Sequence, residues 1–245
     1  MAFQFLDPHA KGLPIWGPGD AGVTYLWKIR PRQQNGYYAT FWWSNNGNFT
    51  WHNGASDSYY GAHPYPRGGG NTTAVHDWEL AGMIDGTDTV VTKAGSAHQL
   101  VFDRWYSQAL VISSNGDGTN TARFYIDLPS TAAADIIEVT SPSSFGRTDP
   151  PSPALTFGDS PWYADYQHER LSGVLRGLKI FAAMLTQAEI LSEAASDSLA
   201  TSRGVATVWY ANANPTPDDI SDKSGASHHP SWADSAHRAG LWTGG

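Results

Sequence analysis

The sequence of 245 residues contains no cysteine. Disulfide bonds, a thiolate metal site and a cysteine nucleophile are therefore excluded. The N-terminus, from Met1 to Asp7, lacks a basic segment followed by an apolar one, so it predicts no signal peptide. No stretch approaches the roughly 18 apolar residues that a membrane-spanning helix needs, and we expect no membrane insertion.

Positive charge is also scarce. Lys and Arg number 15 against 23 Asp and Glu, which gives a net charge of −8. The basic residues are scattered along the chain and form no patch of the kind that attracts nucleic acid or an anionic membrane surface. We therefore expect no nucleic-acid partner.

Aromatic residues, in contrast, are abundant, with 11 Trp, 11 Tyr and 9 Phe beside 25 Gly. This composition is typical of a β-sandwich whose core is aromatic and whose loops carry further rings. It also favours sugar binding, because aromatic faces stack on pyranose rings. Packing in the core is the ordinary explanation for most of the rings.

Short segments rich in β-branched and aromatic residues recur along the chain, separated by turn signals such as Asn35-Gly36 and Asn115–Gly118. Residues 53–72 and 141–154 are predicted loops. No linker or repeat divides the chain, so we predict a single domain over residues 1–245, with 212–245 as an extended C-terminal segment packed on it. The predicted strands are 23–30, 37–43, 49–51, 76–81, 89–92, 99–105, 109–112, 121–128, 154–158, 173–181 and 205–210.

One helix is predicted after the strand at 173–181. Thr186 and Glu189 have the spacing of a capping box, in which the Thr hydroxyl accepts from the backbone while the Glu side chain reaches back to the cap. Helix-forming residues then continue to about Leu199. Many strands and one helix predict an all-β fold, an antiparallel β-sandwich or jelly roll with one short helix.

Several motifs resemble those of laminin-G-like, concanavalin A-like domains. The C-terminal Asp222–Pro230 is similar to an Asp-x-Ser-Gly-x-x-His-His element that usually opens these domains, whereas here it closes the chain. The resemblance implies two packed antiparallel sheets that bind partners on loops or on the concave face. It implies no single activity, because lectins, glycosidases, lyases, adhesion modules and viral structural proteins share this fold. The other matching segments are Trp105–Val111, Arg123–Asp127, Leu155–Gly158, Gly173–Phe181 and Leu185–Ile190.

Catalytic carboxylates are not evident. Retaining glycosidases of this class carry two carboxylates on one strand in a Glu-x-Asp-x-x-Glu-like pattern, which is missing here. The nearest groupings are Asp77 with Glu79, which point the same way if 76–81 is a strand, and the polar run Asp165–Arg170. Solvent-facing carboxylates and a polar loop explain these groupings more simply. We therefore assign no catalytic residue and keep a glycoside hydrolase or polysaccharide lyase as the alternative function.

The best binding candidate is the predicted loop at 53–72 together with Trp51. It combines aromatic rings, polar donors and the glycines of 68–70, which is what sugar recognition needs. The alternative is that its rings pack on the sandwich or on a neighbouring subunit. The candidate ligand-binding residues are Trp51, Tyr59, Tyr60, His63, Tyr65 and Arg67.

No metal site is assigned. His228, His229 and His237 cluster near the C-terminus but lack the spacing of a metal motif. Calcium is common in this fold, and it remains a candidate cofactor without an assigned site. Acidic residues near predicted turns that offer ligands are Asp85, Asp88, Asp117 and Asp159.

These features together predict a non-enzymatic binding or adhesion module. Its partner is expected to be a glycan or a protein surface. One particular form of this hypothesis is a virion or other particle component, acting as a decoration, tail or appendage protein with homo-oligomer or particle assembly. The expected location is extracellular or virion-associated, without a recognisable signal peptide.

Overall fold

The structure is a computed structural model that describes residues 3–6, 21–31, 44–45, 61–67, 77–84, 87–93, 101, 103–141, 154–157, 173–196, 199–200, 207–210 and 231–232. Within these residues the chain is mostly β, with one α-helix, α1 (Gln187–Ala194), and a short 3₁₀ turn at Ala133–Asp135. The strands are β1 (Phe3–Leu6), β2 (Gly22–Pro31), β3 (Ser44–Asn45), β4 (Gly61–Arg67), β5 (Asp77–Ile84), β6 (Thr87–Lys93), β7 (Tyr106–Ser114), β8 (Asn120–Tyr125), β9 (Ile136–Ser141), β10 (Ala154–Phe157), β11 (Gly173–Phe181), β12 (Thr207–Tyr210) and β13 (Ser231–Trp232).

The strands form three sheets in which neighbouring strands are antiparallel. The largest has six strands in the order β12-β11-β2-β7-β8-β9, and the second has four in the order β3-β4-β5-β6. A third has the order β10-β1-β13, so the C-terminal Ser231–Trp232 pairs with the N-terminal β1. The prediction of a mostly antiparallel β fold with one short helix is confirmed.

The two central strands of the six-stranded sheet are buried on both faces. In β2, Tyr25 and Trp27 are buried on one face while Thr24 and Leu26 are buried on the other. Successive strand residues point to opposite faces, so burial on both sides requires a covering layer above and below the sheet. We call the face with Trp27 the core face and the face with Leu26 the helix face.

Aromatic rings join the core face to the four-stranded sheet. Trp27 stacks on Phe124 of β8, with centroids 6.1 Å apart and planes 7° from parallel. Trp78 of β5 meets Phe124 at 6.1 Å and Tyr106 at 5.3 Å in edge-to-face geometry. Such pairs contribute about 0.5–1.5 kcal/mol each beyond the burial of their area. Trp78 therefore packs the four-stranded sheet against the six-stranded sheet, and the two sheets form a sandwich.

A buried polar chain runs through this aromatic layer. The indole Nε1 of Trp27 donates to Oε1 of Gln108 at 2.9 Å, and Nε2 of Gln108 donates to the carbonyl of Ile126 at 3.0 Å. Gln108 is fully buried, so each of these bonds satisfies a group that would otherwise be costly to bury.

Helix α1 covers the middle of the helix face. Its Ile190 lies with Leu185 over Leu26 of β2 and Ala109 of β7. The remaining members of this apolar cluster are Val111, Tyr125, Leu128 and Phe181. Burying an apolar side chain of this size contributes about 1.5–3 kcal/mol, so the cluster holds the helix on the sheet.

Both ends of α1 are fixed by side chains. The predicted capping box is confirmed: the backbone N–H of Glu189 donates to the Thr186 hydroxyl at 3.4 Å, and the Thr186 N–H donates to the Glu189 carboxylate at 2.7 Å. At the other end, Nζ of Lys179 donates to the carboxylate and carbonyl of Glu193 and to the carbonyl of Ser196, at 2.7–2.8 Å. The helix ends at Ala194, so its predicted extension to Leu199 is wrong. There Lys179 donates hydrogen bonds to carbonyl groups at the end of the helix.

Most predicted strands are confirmed where the structure describes them, and two predictions are corrected. The strand predicted at 99–105 is wrong in its described part, because Asp103 has a φ of 61° and pairing with β2 begins only at Tyr106. The loop predicted at 53–72 contains strand β4, whose seven residues pair with β5. Pro64 and Pro66 are tolerated because among the described residues β3 pairs only with Gly61 and Ala62 of β4. The predicted strands 37–43 and 49–51 lie outside the described residues, and the single-domain assignment stays a prediction.

Candidate functional site

Three of the six predicted ligand-binding residues lie in the described part of the chain. Trp51, Tyr59 and Tyr60 lie outside the described residues. The other three occupy β4, where His63 pairs with Ala81, Tyr65 with Glu79 and Arg67 with Asp77. The role of these residues in binding stays a prediction.

The other candidates from the sequence are placed only in part. Asp77 and Glu79 do lie in a strand, β5, with fully buried Trp78 between them. Asp165–Arg170 and His228, His229 and His237 lie outside the described residues. Within the described part of the chain, no group of three His, Asp or Glu side chains is arranged to hold a metal ion, and no helix is long and apolar enough to cross a membrane.

A groove of about 310 Å³ lies on the helix face, beside the N-terminal end of α1. Its floor is built by alternate residues of β7, β8 and β9, and its wall is built by the segment that leads into the helix. A volume near 300 Å³ is at the lower end of the range for small-molecule sites. The lining residues are Val111, Ser113, Asn115, Thr121, Arg123, Tyr125, Glu138, Met184, Leu185, Thr186 and Gln187.

The charged part of the floor is one ion pair between β8 and β9. Arg123 and Glu138 are directly opposed in the register. Nε and Nη2 of Arg123 contact Oε2 of Glu138 at 2.6 and 2.5 Å. Burial opposes the charge of Arg123, but the hydrogen bond and charge of Glu138, with a smaller contribution from Tyr125, outweigh it. The pKa of the guanidinium is therefore raised above its ordinary value.

Two uncharged polar lining residues, Asn115 and Thr121, belong to a short hydrogen-bonded row that continues beyond the groove. The hydroxyl oxygens of Thr121 and Thr140 are 3.1 Å apart, in adjacent strands. The side-chain amide of Asn115 donates to the hydroxyls of Thr119 at 2.8 Å and Thr121 at 3.1 Å. Because these groups hold one another, the row presents hydroxyl and amide groups in a fixed pattern.

The apolar wall is attached to β2 by Thr24. Its hydroxyl donates to the carbonyl of Ala183 at 2.7 Å and accepts from the backbone N–H of Leu185 at 3.0 Å. Gly22 permits the close approach, since a Cβ there would lie 2.9 Å from the Cβ of Met184. Met184 stands between these two anchored points and is 54% exposed, so it forms an apolar rim beside the polar floor.

This combination can hold a small polar molecule. The Arg123–Glu138 pair offers both donors and acceptors, and Met184 with Val111 offers an apolar contact. Glu138 is the one carboxylate among the described lining residues, and it is already bound to a guanidinium. Two-carboxylate hydrolysis needs a second acidic group on the opposite side of the bond, so the described groove does not supply that mechanism.

Sequence reasoning identified the elements of this groove but not the groove. The segment 121–128 was predicted as a half-buried strand, which is correct as far as Tyr125, and its polar positions Thr121 and Arg123 face the groove. Strand β9, which supplies Glu138, was not predicted, although Ile136-Ile137-Glu138-Val139-Thr140 alternates as a strand should from Ile137 to Thr140. Recognising that alternation would have found the polar side chains that flank Arg123.

Comparison with known proteins gives little beyond this description. No family model and no curated protein matches the sequence. Among solved structures, the native heptameric SAP-like pentraxin from Limulus polyphemus is 12% identical, with a TM-score of 0.39 over 79% of this chain and 81% of that chain. An overlap of this size assigns neither a family nor a ligand to the chain.

Proposed function

We propose that the protein is a non-enzymatic binding module that holds a glycan in the groove beside α1. The observation that carries the proposal is the juxtaposition of the fixed Arg123–Glu138 pair with the exposed apolar rim at Met184. The hydroxyls of a sugar ring can hydrogen-bond to the Arg123–Glu138 pair, and its C–H face can pack on Met184. A site whose polar groups are already held in place loses little conformational entropy on binding.

The proposal includes features that come from the sequence. These are membership of the laminin-G-like, concanavalin A-like superfamily and a role in adhesion. The setting would be extracellular or virion-associated, as a structural or appendage protein assembled with itself or with a particle. Calcium is a candidate cofactor and a protein surface is the alternative partner. The residues around β4, from Trp51 to Arg67, are proposed as a second contact region.

Binding to a panel of immobilised neutral glycans, followed by calorimetry on the best of them, tests the groove. We expect Glu138→Gln to weaken binding at least tenfold, because it breaks the ion pair that fixes Arg123 and removes an acceptor. Asp103→Asn is a matched control, since it makes the same carboxylate-to-amide change at an exposed position before β7, outside the groove.

Equal affinity of the wild type and Glu138→Gln for the bound glycan would reject the groove as the site. Chemical turnover of any glycan on the panel would reject the non-enzymatic assignment. The loss of binding in Tyr65→Ala with no change in Glu138→Gln would move the site to the β4 region.

A further inference from the structure

A second polar cluster lies on the helix face, at the opposite end of β7 from the groove. It consists of Lys28 and Arg30 of β2, Arg176 of β11, and Trp105, which directly precedes β7. Arg176 pairs with Lys28 in the strand register, and Lys28 pairs with Ser107. The middle of the face, covered by α1 at Leu26 and Ala109, separates this cluster from the groove.

Two guanidinium groups converge on one indole ring. The guanidinium carbon of Arg176 is 4.4 Å from the centroid of Trp105, and that of Arg30 is 5.5 Å from it. Since β2 lies between β11 and β7, the side chain of Arg176 extends across β2 to reach Trp105. The arrangement gathers three cationic side chains of a chain whose net charge is −8.

The side chain of Arg176 lacks the ion pair that Arg104 and Arg123 make. Arg104 lies 4.7 Å from the ring of Tyr106 and is also ion-paired with Asp127, and Arg123 is ion-paired with Glu138. For the side chain of Arg176, the structure shows the contact with Trp105 and no hydrogen bond or ion pair within the described part of the chain. Its Nε is buried without a hydrogen-bond acceptor. Lys28 and Arg30 make further contacts of their own.

A half-buried guanidinium with a buried, unsatisfied N–H is costly. The face of the Trp105 indole attracts the positive charge of the guanidinium. It does not accept hydrogen bonds from the N–H groups that lie in the guanidinium plane. An anion with two oxygens side by side would balance the charge and accept from the N–H groups, because a guanidinium donates to such a group in bidentate geometry. A neutral ligand would leave the charge of the Arg176 guanidinium uncompensated within the described part of the chain.

We propose that Arg176, Arg30 and Trp105 form a binding site for an oxyanion, with the fork of Arg176 as the primary donor. The chemistry is that of a carboxylate, sulfate or phosphate group, carried by an acidic sugar or free in solution. Trp105 contacts both guanidinium groups, which keeps the two arginines and the indole in one part of the helix face. The site is independent of the groove and of the neutral glycan proposed there.

The arginine Nε–H and tryptophan indole N–H signals of the ¹⁵N-labelled protein test the proposal during titration with sodium glucuronate or sodium sulfate at constant ionic strength. We expect saturable shifts of Arg176 and Trp105 signals with both anions, and none with glucose. Arg176→Gln should weaken binding at least tenfold. Arg176→Lys, which keeps the charge and loses the fork, should weaken it as well. Arg104→Gln is the matched control, and it should bind as the wild type does.

Shifts with glucuronate alone would assign the site to the carboxylate of an acidic sugar, and shifts with both anions would assign a general oxyanion site. Either result supports the proposal. Unchanged Arg176 signals in the wild type would overturn the proposal. This measurement is made on the wild-type protein, so it does not depend on whether a variant folds. Equal weakening in Arg176→Gln and Arg104→Gln would also overturn it, because that pattern indicates an effect of overall charge.

Discussion

The two faces of the six-stranded sheet are made by the same strands and have different surfaces. In its described part, the core face is buried and carries a row of aromatic rings from Trp27 through Phe124 to Trp78 of the neighbouring sheet. The described part of the helix face is apolar beneath α1, with a polar groove at one end and a cationic cluster at the other. Alternation along a strand allows this division, because neighbouring residues can serve packing and recognition separately.

Gln108 on the core face and the groups that line the two proposed sites on the helix face differ in their hydrogen bonds. On the core face, the buried Gln108 bonds to Trp27 and to the carbonyl of Ile126. On the helix face, Arg123, Glu138 and Met184 are exposed to solvent along the groove, and Arg176 has no acceptor at Nε. Satisfied polar groups stabilise a fold, whereas exposed or unsatisfied ones can bind a further molecule. The helix face is therefore where we place both proposed sites.

The largest expected effect on stability comes from removing an aromatic ring from the core face. Phe124→Ala removes the ring that contacts both Trp27 and Trp78, and we expect it to lower the free energy of unfolding by about 3–5 kcal/mol. Its neighbour Arg123 points to the other face with an exposed ion pair, so Arg123→Ala should cost less than about 1 kcal/mol. Urea denaturation measures both. Similar losses for the two variants would show that the faces do not differ as described.

The next effect concerns the attachment of α1 to the helix face. Lys179→Met leaves the fully buried carboxylate of Glu193 without its cation, which should cost about 3–5 kcal/mol of unfolding free energy. The double variant Lys179→Met/Glu193→Leu removes both charges and should recover most of that loss. Thermal and urea unfolding of the two variants provide the comparison. A single variant as stable as the wild type would contradict the role of this ion pair in holding the helix.

A smaller effect is expected at the other end of α1. Thr186→Ala removes the hydroxyl that caps the helix, and the unfolding free energy should fall by about 0.5–2 kcal/mol. Gln187→Ala is the control, because its exposed side chain forms no part of the cap and its replacement should change stability by less than about 0.5 kcal/mol. An unchanged thermal midpoint in Thr186→Ala would show that the cap contributes nothing.

The smallest effect lies in the turn between β7 and β8. The hydroxyl and backbone N–H of Thr119 donate to Oδ1 of Asp117, at 2.6 and 2.8 Å, and they lower its pKa below its ordinary value of 3.8. Because the folded-state pKa is lowered, this contribution to stability is present above the ordinary pKa and is lost as the pH falls through the lowered one. Carboxyl ¹³C titration should show the pKa of Asp117 returning towards its ordinary value in Thr119→Ala. Thr121→Ala, which spares these bonds, should leave it unchanged.

Local signals predicted much of the frame, because they depend on neighbouring residues. The β2 and β11 strands, the Asn115–Gly118 turn and the Thr186–Glu189 cap were all predicted. Strand β4 was not, since its Gly, His and Pro residues favour a loop until pairing with β5 outweighs their propensities. The end of α1 was misplaced for a similar reason, because Lys179 comes from a distant strand.

The sequence by itself determined that this chain folds mainly as antiparallel strands with one capped helix, since spacing and propensity act over a few residues. Tertiary structure decided which polar residues meet. Arg123 faces Glu138 only because β8 pairs with β9 in one register, and Arg176 reaches Trp105 only because β11, β2 and β7 lie side by side. No local pattern specifies the pairing of strands far apart in sequence. That pairing depends on burying the aromatic core face and the apolar cluster under α1 at the same time, and it leaves the polar ends of the helix face available for binding.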